Sequence, residues 1–283
     1  MSEQPADVAH AEPLPTGGPT TAVKRSGARG RLRKFFIRAW LPIVTAFVIY
    51  LFVSYRARGF DAAILRSDQR VTVTDASGLL TLAPVDHTHA ATSSSLIFIP
   101  GAMVDPTAYA PLAREVALRG HAVTIVKLPA RMASFEWQRN AVVSRVADVV
   151  RANPERKWIV GGHSVGGVVA CYAARDHVDL LAGLVLIGTS HPRDFDLSRL
   201  TLDVTKITAT RDGLASPAEV RANANRLPTA THWISIDGGN HSQFGYYGFQ
   251  LGDHAAAISR ADQQSQTVAA IVDALRRADA GER

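Results

Sequence analysis

Gly161-Gly162-His163-Ser164-Val165-Gly166-Gly167 is the stretch whose reading decides the fold. It follows the apolar run Trp158-Ile159-Val160 and precedes Val168-Val169-Ala170-Cys171-Tyr172-Ala173-Ala174, small and apolar enough for a packed helix. A strand that ends in G-x-S-x-G and turns at once into a helix lifts its serine onto a strained, exposed turn over a sheet edge, the nucleophile-elbow pattern. Gly162 and Gly166 stand where strand and helix pass closely and a side chain would collide. The new helix points its first N–H groups at whatever sits above Ser164, where a developing oxyanion would be held. Glycine-rich turns of this kind also bind phosphates. A dinucleotide fingerprint, however, needs G-x-G-x-x-G and a Walker loop needs G-K-[ST], and neither is present.

Outward from this turn the chain alternates. Val71–Thr74 and Leu79–Ala83 flank Asp75-Ala-Ser-Gly78 and predict an antiparallel hairpin. Further strands are expected at Ser94–Ile99, His121–Leu128, Lys157–Val160, Leu184–Ile187, Val204–Thr208 and Trp233–Ile236. Helices are expected at Thr107–Arg119, Phe135–Ala152 and Asp262–Arg277. Such alternation implies an α/β fold: a mostly parallel sheet with helices on both faces, whose site lies at the carboxyl ends of the strands.

Three loops fall at those ends. Pro100-Gly101-Ala102-Met103-Val104-Asp105-Pro106 brings small residues and N–H groups toward Ser164, while Asp105 before Pro106 reads as a helix cap. Ala209-Thr210-Arg211-Asp212-Gly213 and Asp237-Gly238-Gly239-Asn240-His241-Ser242 complete the order Ser164, Asp212, His241. A serine hydroxyl is a weak nucleophile until an imidazole takes its proton. The imidazole in turn needs a carboxylate to fix its tautomer and stabilise its cation. Rivals are weighed by position. The His163 side chain diverges from its neighbour's, His191 precedes any acid loop, His232 opens a strand and His254 lies past the loop. Asp203 opens a strand and Asp237 is a turn residue, which leaves Asp194 or Asp196 as runner-up acid.

Charge is uneven along the chain. Of the 31 Lys+Arg and 25 Asp+Glu, residues 1–60 hold nine and three, leaving 22 of each in residues 61–283. The net +6 therefore belongs to the N-terminal segment, and no nucleic-acid partner is implied for the remainder. Residues 1–38 read as a disordered basic tail, cytoplasmic by the excess of cations ahead of an uncharged run at 39–55. That run reads as a single transmembrane helix with Trp40 and Tyr55 near its ends, which places the domain at 61–283 on the extracytoplasmic side. A cleaved signal peptide or a buried core helix is disfavoured: the run is long for the former and has no polar face for the latter. Cys171, the only cysteine, reads as a small buried apolar residue.

The combination of P-G-A-M-V-D-P-T-A-Y-A-P-L-A from Pro100, G-G-H-S-V-G-G from Gly161, T-R-D-G from Thr210 and G-G-N-H-S-Q-F-G-Y-Y-G-F-Q-L-G-D from Gly238 resembles the α/β-hydrolase superfamily over residues 70–280. The resemblance implies Ser164 as nucleophile, Asp212 as acid and His241 as base, with the N–H groups of Val165 and of Ala102 or Met103 forming the oxyanion hole. Only residues 188–203 separate two strands where many members insert a large lid, so it resembles a compact branch with an open site. Together with the anchor read at 39–55, it implies a membrane-anchored carboxylic ester hydrolase acting on a small acyl substrate, without metal or organic cofactor. The alternatives are amide, thioester or lipid substrates on the same triad, or a catalytically silent binding protein. The aromatic run Phe244–Phe249 either lines the pocket or packs against the last helix.

Overall fold

A computed structural model describes residues 26–85 and 94–281, with backbone alone at 26–33, 36 and 37. The tail expected at 1–38 lies outside the described residues as far as position 25. From Ser26 the backbone is helical: α1 runs Ser26–Ser54, with Pro42 inside it. Among the described residues no helix is long and apolar enough to cross a membrane. At ~1.5 Å per residue the uncharged stretch 39–55 measures roughly 25 Å, short of a ~30 Å hydrocarbon core. The span expected there is thus not shown, although large apolar side chains from Trp40 to Val53 stand exposed along the helix. The chain divides into two compact units, one ending at Val48 and one beginning at Ile49. The second holds everything that follows.

Eight strands form its sheet among the described residues: β1 Val71–Ala76, β2 Leu79–Pro84, β3 Ser95–Ile99, β4 Val123–Val126, β5 Trp158–His163, β6 Gly183–Ile187, β7 Asp203–Ala209 and β8 His232–Ile236. Their order is β1-β2-β4-β3-β5-β6-β7-β8. The hairpin β1–β2 joins β4 in antiparallel fashion, and every later pairing is parallel. Because β3 lies between β4 and β5, the chain winds one way from β3 and the other way from β5, and the crevice above a strand reversal of this kind is where open α/β sheets bind ligands.

The helices are α2 Ala110–Ala117, α3 Glu136–Ala152, α4 Val165–Asp176, α5 Pro217–Ala222 and α6 Arg260–Ala280. The helix expected from Thr107 starts instead as a 3-10 turn, Pro106–Tyr109, because Asp105 caps it through Thr107 N–H and Pro106 fits its first turn. Central strands are apolar on both faces. Leu96 and Phe98 pack with Leu112, Val116, Ile271 and Leu275, whereas Ile97 and Ile99 pack with Val142, Val146, Val169 and Ala173. This two-sided burial is why the strands read as continuous apolar runs.

Lys206 breaks the apolar rule inside β7. It is 1% exposed, and its ammonium donates to the His191 carbonyl at 2.6 Å. Burial lowers it from its ordinary 10.5 to about 8, against a small opposing influence of Cys171. The buried thiol itself is pushed up to about 12. Between about pH 8 and about pH 10.5 the unfolded chain holds the lysine proton that the folded chain has released. Stability therefore rises with pH across that window and falls by ~3 kcal/mol on descending through it. Lys206→Met should abolish this slope. Near neutral pH the variant should be the more stable form by ~2 kcal/mol, the lost hydrogen bond offsetting ~1 kcal/mol. Urea midpoints of both proteins at a series of pH values check it.

Candidate active site

Strand register assembles the site. Ile99 pairs with Gly162, His163 with Ile187 and Ala209 with Ile236, so the loops after β3, β5, β6, β7 and β8 leave the same edge of the sheet. Ser164 tops β5 with φ 55° and ψ −121°, its N–H donating to the Ile187 carbonyl at 2.9 Å. A non-glycine residue in this region stores ~1–3 kcal/mol of strain, which the surrounding structure must hold. It is held by close packing of strand against helix. A Cβ at Gly166 would overlap the Ile99 carbonyl oxygen and meet that of Pro100 at 2.6 Å. One at Gly162 would meet the Ile99 oxygen at 2.7 Å.

Asp212 and His241 come from the loops after β7 and β8. His241 Nδ1–H donates to Asp212 Oδ2 at 2.9 Å, and both side chains are 1% exposed. The second Asp212 oxygen accepts the N–H groups of Leu214 at 2.8 Å and Ala215 at 2.7 Å. Its orientation is thereby fixed by backbone. His241 Nε2 has no hydrogen-bond partner although it is buried. The His241 ring packs on that of His163, Ser164's neighbour, with centroids 4.4 Å apart. The structure therefore joins Asp212 to His241 directly. Ser164 is the chain neighbour of the ring packed on His241, and its hydroxyl makes no hydrogen bond to Nε2.

The loop after β3, which carries Ala102 and Met103, is built just as closely. Gly101 N–H donates to the Tyr109 hydroxyl at 3.1 Å, and the same hydroxyl is hydrogen-bonded to His163 Nδ1 at 2.8 Å. His163 stays neutral, its pKa driven well below the ordinary value by burial and by the facing His241. Met103, with φ 65°, spends its N–H on the Arg131 carbonyl at 2.6 Å. That removes Met103 from the expected oxyanion donors. The N–H groups of Ala102 and Val165 make no hydrogen bond to the described residues. Asp105 is a cap as expected, and it also accepts from the Arg131 guanidinium at 2.8 Å, tying this loop to the one after β4.

Several positioning residues escaped the sequence reading. Asp253 accepts from Gly213 N–H and His241 N–H through one oxygen, at 3.1 and 3.2 Å. Its other oxygen accepts from Ser242 N–H and Oγ at 2.8 and 2.7 Å. It thus clasps the aspartate loop to the histidine loop. Gln263 holds Asn240 by both of its backbone groups, at 3.0 and 2.7 Å. Only position is available as a signal for either: Asp253 ends the motif begun at Gly238, and Tyr109 lies within the one begun at Pro100. The rival residues are occupied elsewhere. Asp194 lies 3.4 Å from His191, Asp203 pairs with Arg277 and His232, and Asp237 accepts from Thr210. Phe244 and Tyr247 are buried in the core, while Phe249 is exposed, so most of the aromatic run packs.

Tyr109→Phe should lower kcat ~10-fold with KM little changed, because Gly101 N–H and His163 Nδ1 both lose their partner next to the loop expected to hold the oxyanion. Steady-state kinetics on a soluble ester read this.

No curated protein matches the chain in sequence. Its structure is similar to brefeldin A esterase, a bacterial homologue of human hormone-sensitive lipase, at 14% identity and TM-score 0.59, covering 86% of each chain. It is also similar to XC6422 from Xanthomonas campestris, an α/β serine hydrolase without lid, at 16% identity and TM-score 0.52, covering 75% of this chain and 95% of that one. A third is Est1E from Butyrivibrio proteoclasticus, at 11% identity and TM-score 0.52, covering 73% and 99%. At such identities these likenesses speak for the fold alone. The sequence model of the alpha/beta hydrolase family matches residues 95–265, most of the second unit, and the chain belongs to that family.

Proposed function

We propose that the protein is a serine hydrolase that cleaves carboxylic esters through an acyl-enzyme on Ser164, with Asp212 and His241 completing the triad. The observation that carries the reading is the buried His241, bonded through Nδ1 to Asp212 and left without a partner at Nε2 beside the strained turn at Ser164. In the proposed reaction Nε2 takes the Ser164 proton as Oγ bonds to the acyl carbon. The Ala102 and Val165 N–H groups receive the developing oxyanion. The imidazolium returns its proton to the departing alcohol. Water, deprotonated by His241, then releases the acid. Catalytic hydrogen bonds in unliganded enzymes are often looser than in the substrate complex, which fits the absent Ser164–His241 bond.

Residues 188–202 form neither helix nor strand and add no lid, which favours small or exposed acyl groups over deeply enclosed ones. One structural neighbour, brefeldin A esterase, is named for the same ester chemistry. The membrane is proposed as the location, with flanking arginines such as Arg38 snorkelling to make good the short run at 39–55, the basic side cytoplasmic and the catalytic unit outside.

A fluorophosphonate probe tests the chemistry. The wild-type protein should be labelled, and Ser164→Ala should not. Absence of label on the folded wild-type protein would overturn the reading in favour of a binding protein.

A further inference from the structure

The last turn of α1 and the residues after it are bonded to the catalytic loops. Gly248 N–H donates to the Ser54 carbonyl at 2.7 Å and Arg58 N–H to the Tyr246 carbonyl at 2.8 Å. The hydroxyls of Tyr50 and Ser54 both donate to the Phe249 carbonyl. Tyr55 stacks on Tyr247, with centroids 6.1 Å apart, and its carbonyl accepts Asp105 N–H at 2.9 Å. The exit of the helix is therefore fixed against the loop that bears His241 and the loop that bears Ala102.

Two kinds of side chain crowd this exit. Ile49, Phe52 and Val53 on the helix and Phe249 and Leu251 on the histidine loop are each half or more exposed, five large apolar groups on one body. Beside them stand arginines: Arg56 over the Phe52 ring, Arg58 over the backbone of Gly248 and Arg260 over the Tyr246 ring. Residues 39–60 contain no acid, and Asp253 at the foot of the loop is buried and fully engaged. Apolar and aromatic groups at a helix end, collared by arginine, match the layered chemistry of a bilayer surface carrying anionic headgroups.

We infer that this lip beside the catalytic loops docks on an anionic bilayer, and that the enzyme takes acyl esters carried on membrane lipid in preference to the same esters free in water. The inference rests on the serine-hydrolase reading above. It also reconciles a lidless mouth with a membrane location: the acyl group is small and presented at headgroup level, and the lipid supplies the anchoring.

The test uses the full chain in phosphatidylcholine vesicles, with or without phosphatidylglycerol. One fluorogenic butyrate ester is offered either linked to a phospholipid headgroup or free in solution. The wild-type protein should hydrolyse the lipid-linked ester at least ~10-fold faster in the anionic vesicles than in phosphatidylcholine alone, the free ester showing no such preference. Leu251→Glu and, separately, Arg56→Glu should cut the lipid-linked rate ~10-fold and leave the free-ester rate within about twofold. Equal effects on the two esters, or no effect of anionic lipid, would overturn the inference. Fluorophosphonate labelling of Ser164 on the same samples separates the two failures: labelled protein without lipid preference refutes the docking lip alone, and unlabelled protein refutes the serine chemistry itself.

Discussion

Asp212→Asn is expected to lower kcat/KM ~10⁴-fold while leaving the fold intact. The reason lies in how the carboxylate is held. One oxygen accepts two backbone N–H groups, from Leu214 and Ala215, so an asparagine must keep its own oxygen there and turn its NH₂ toward His241. Facing a donor, His241 Nδ1 becomes the acceptor and its proton moves to Nε2. An imidazole in that tautomer cannot take a proton from Ser164. The measurement is kcat/KM on a soluble ester together with the urea midpoint. A variant keeping a tenth or more of the activity, at unchanged stability, would show that His241 is not oriented by Asp212.

The second large effect is on stability. Gly166→Ala should destabilise the protein by ~3 kcal/mol or more, since the added methyl would lie on the carbonyl oxygen of Ile99 and against that of Pro100, both main-chain atoms without an alternative rotamer. Relief requires separating β3 from α4, which also displaces Ala102. Gly120→Ala is the contrast: nothing lies near its missing Cβ, and only its φ of 95° opposes a side chain, so ~1 kcal/mol is expected. Denaturation midpoints for the pair decide whether packing or backbone angle dominates at the elbow. Similar losses in both would exclude the packing argument.

The central strands and the elbow were legible in the chain because each obeys a local rule. Two-sided burial writes itself as Ser95–Ile99 and Gly183–Ile187, and the collision of strand with helix writes itself as glycines at 162 and 166. Asp212 and His241 were legible by order along the chain, since parallel strands bring their following loops to one edge. What was not legible depends on distant partners. Nothing in Pro129-Ala130-Arg131 announces that the Arg131 carbonyl captures Met103 N–H, because a backbone acceptor has no sequence signature. Tyr109 looks like any core aromatic until Gly101 and His163 are seen at its hydroxyl. Lys206 stands between Thr205 and Ile207 in a strand that already carries polar residues, and its burial follows from the path of the His191 loop, which only coordinates reveal.

The stretch Ser54–Arg58 has a practical corollary for anyone trimming the chain. The hydrolase-like pattern starts late enough that Asp61 is an inviting first residue. Removing all that precedes it, however, would strand Asp105 N–H, Gly248 N–H and the Tyr246 carbonyl without their present partners. Each such orphan costs ~1–3 kcal/mol where water cannot replace the partner. A shortened protein cut at Asp61 should therefore be less stable and slower than one that keeps the chain from Ile49, however soluble the shorter form proves.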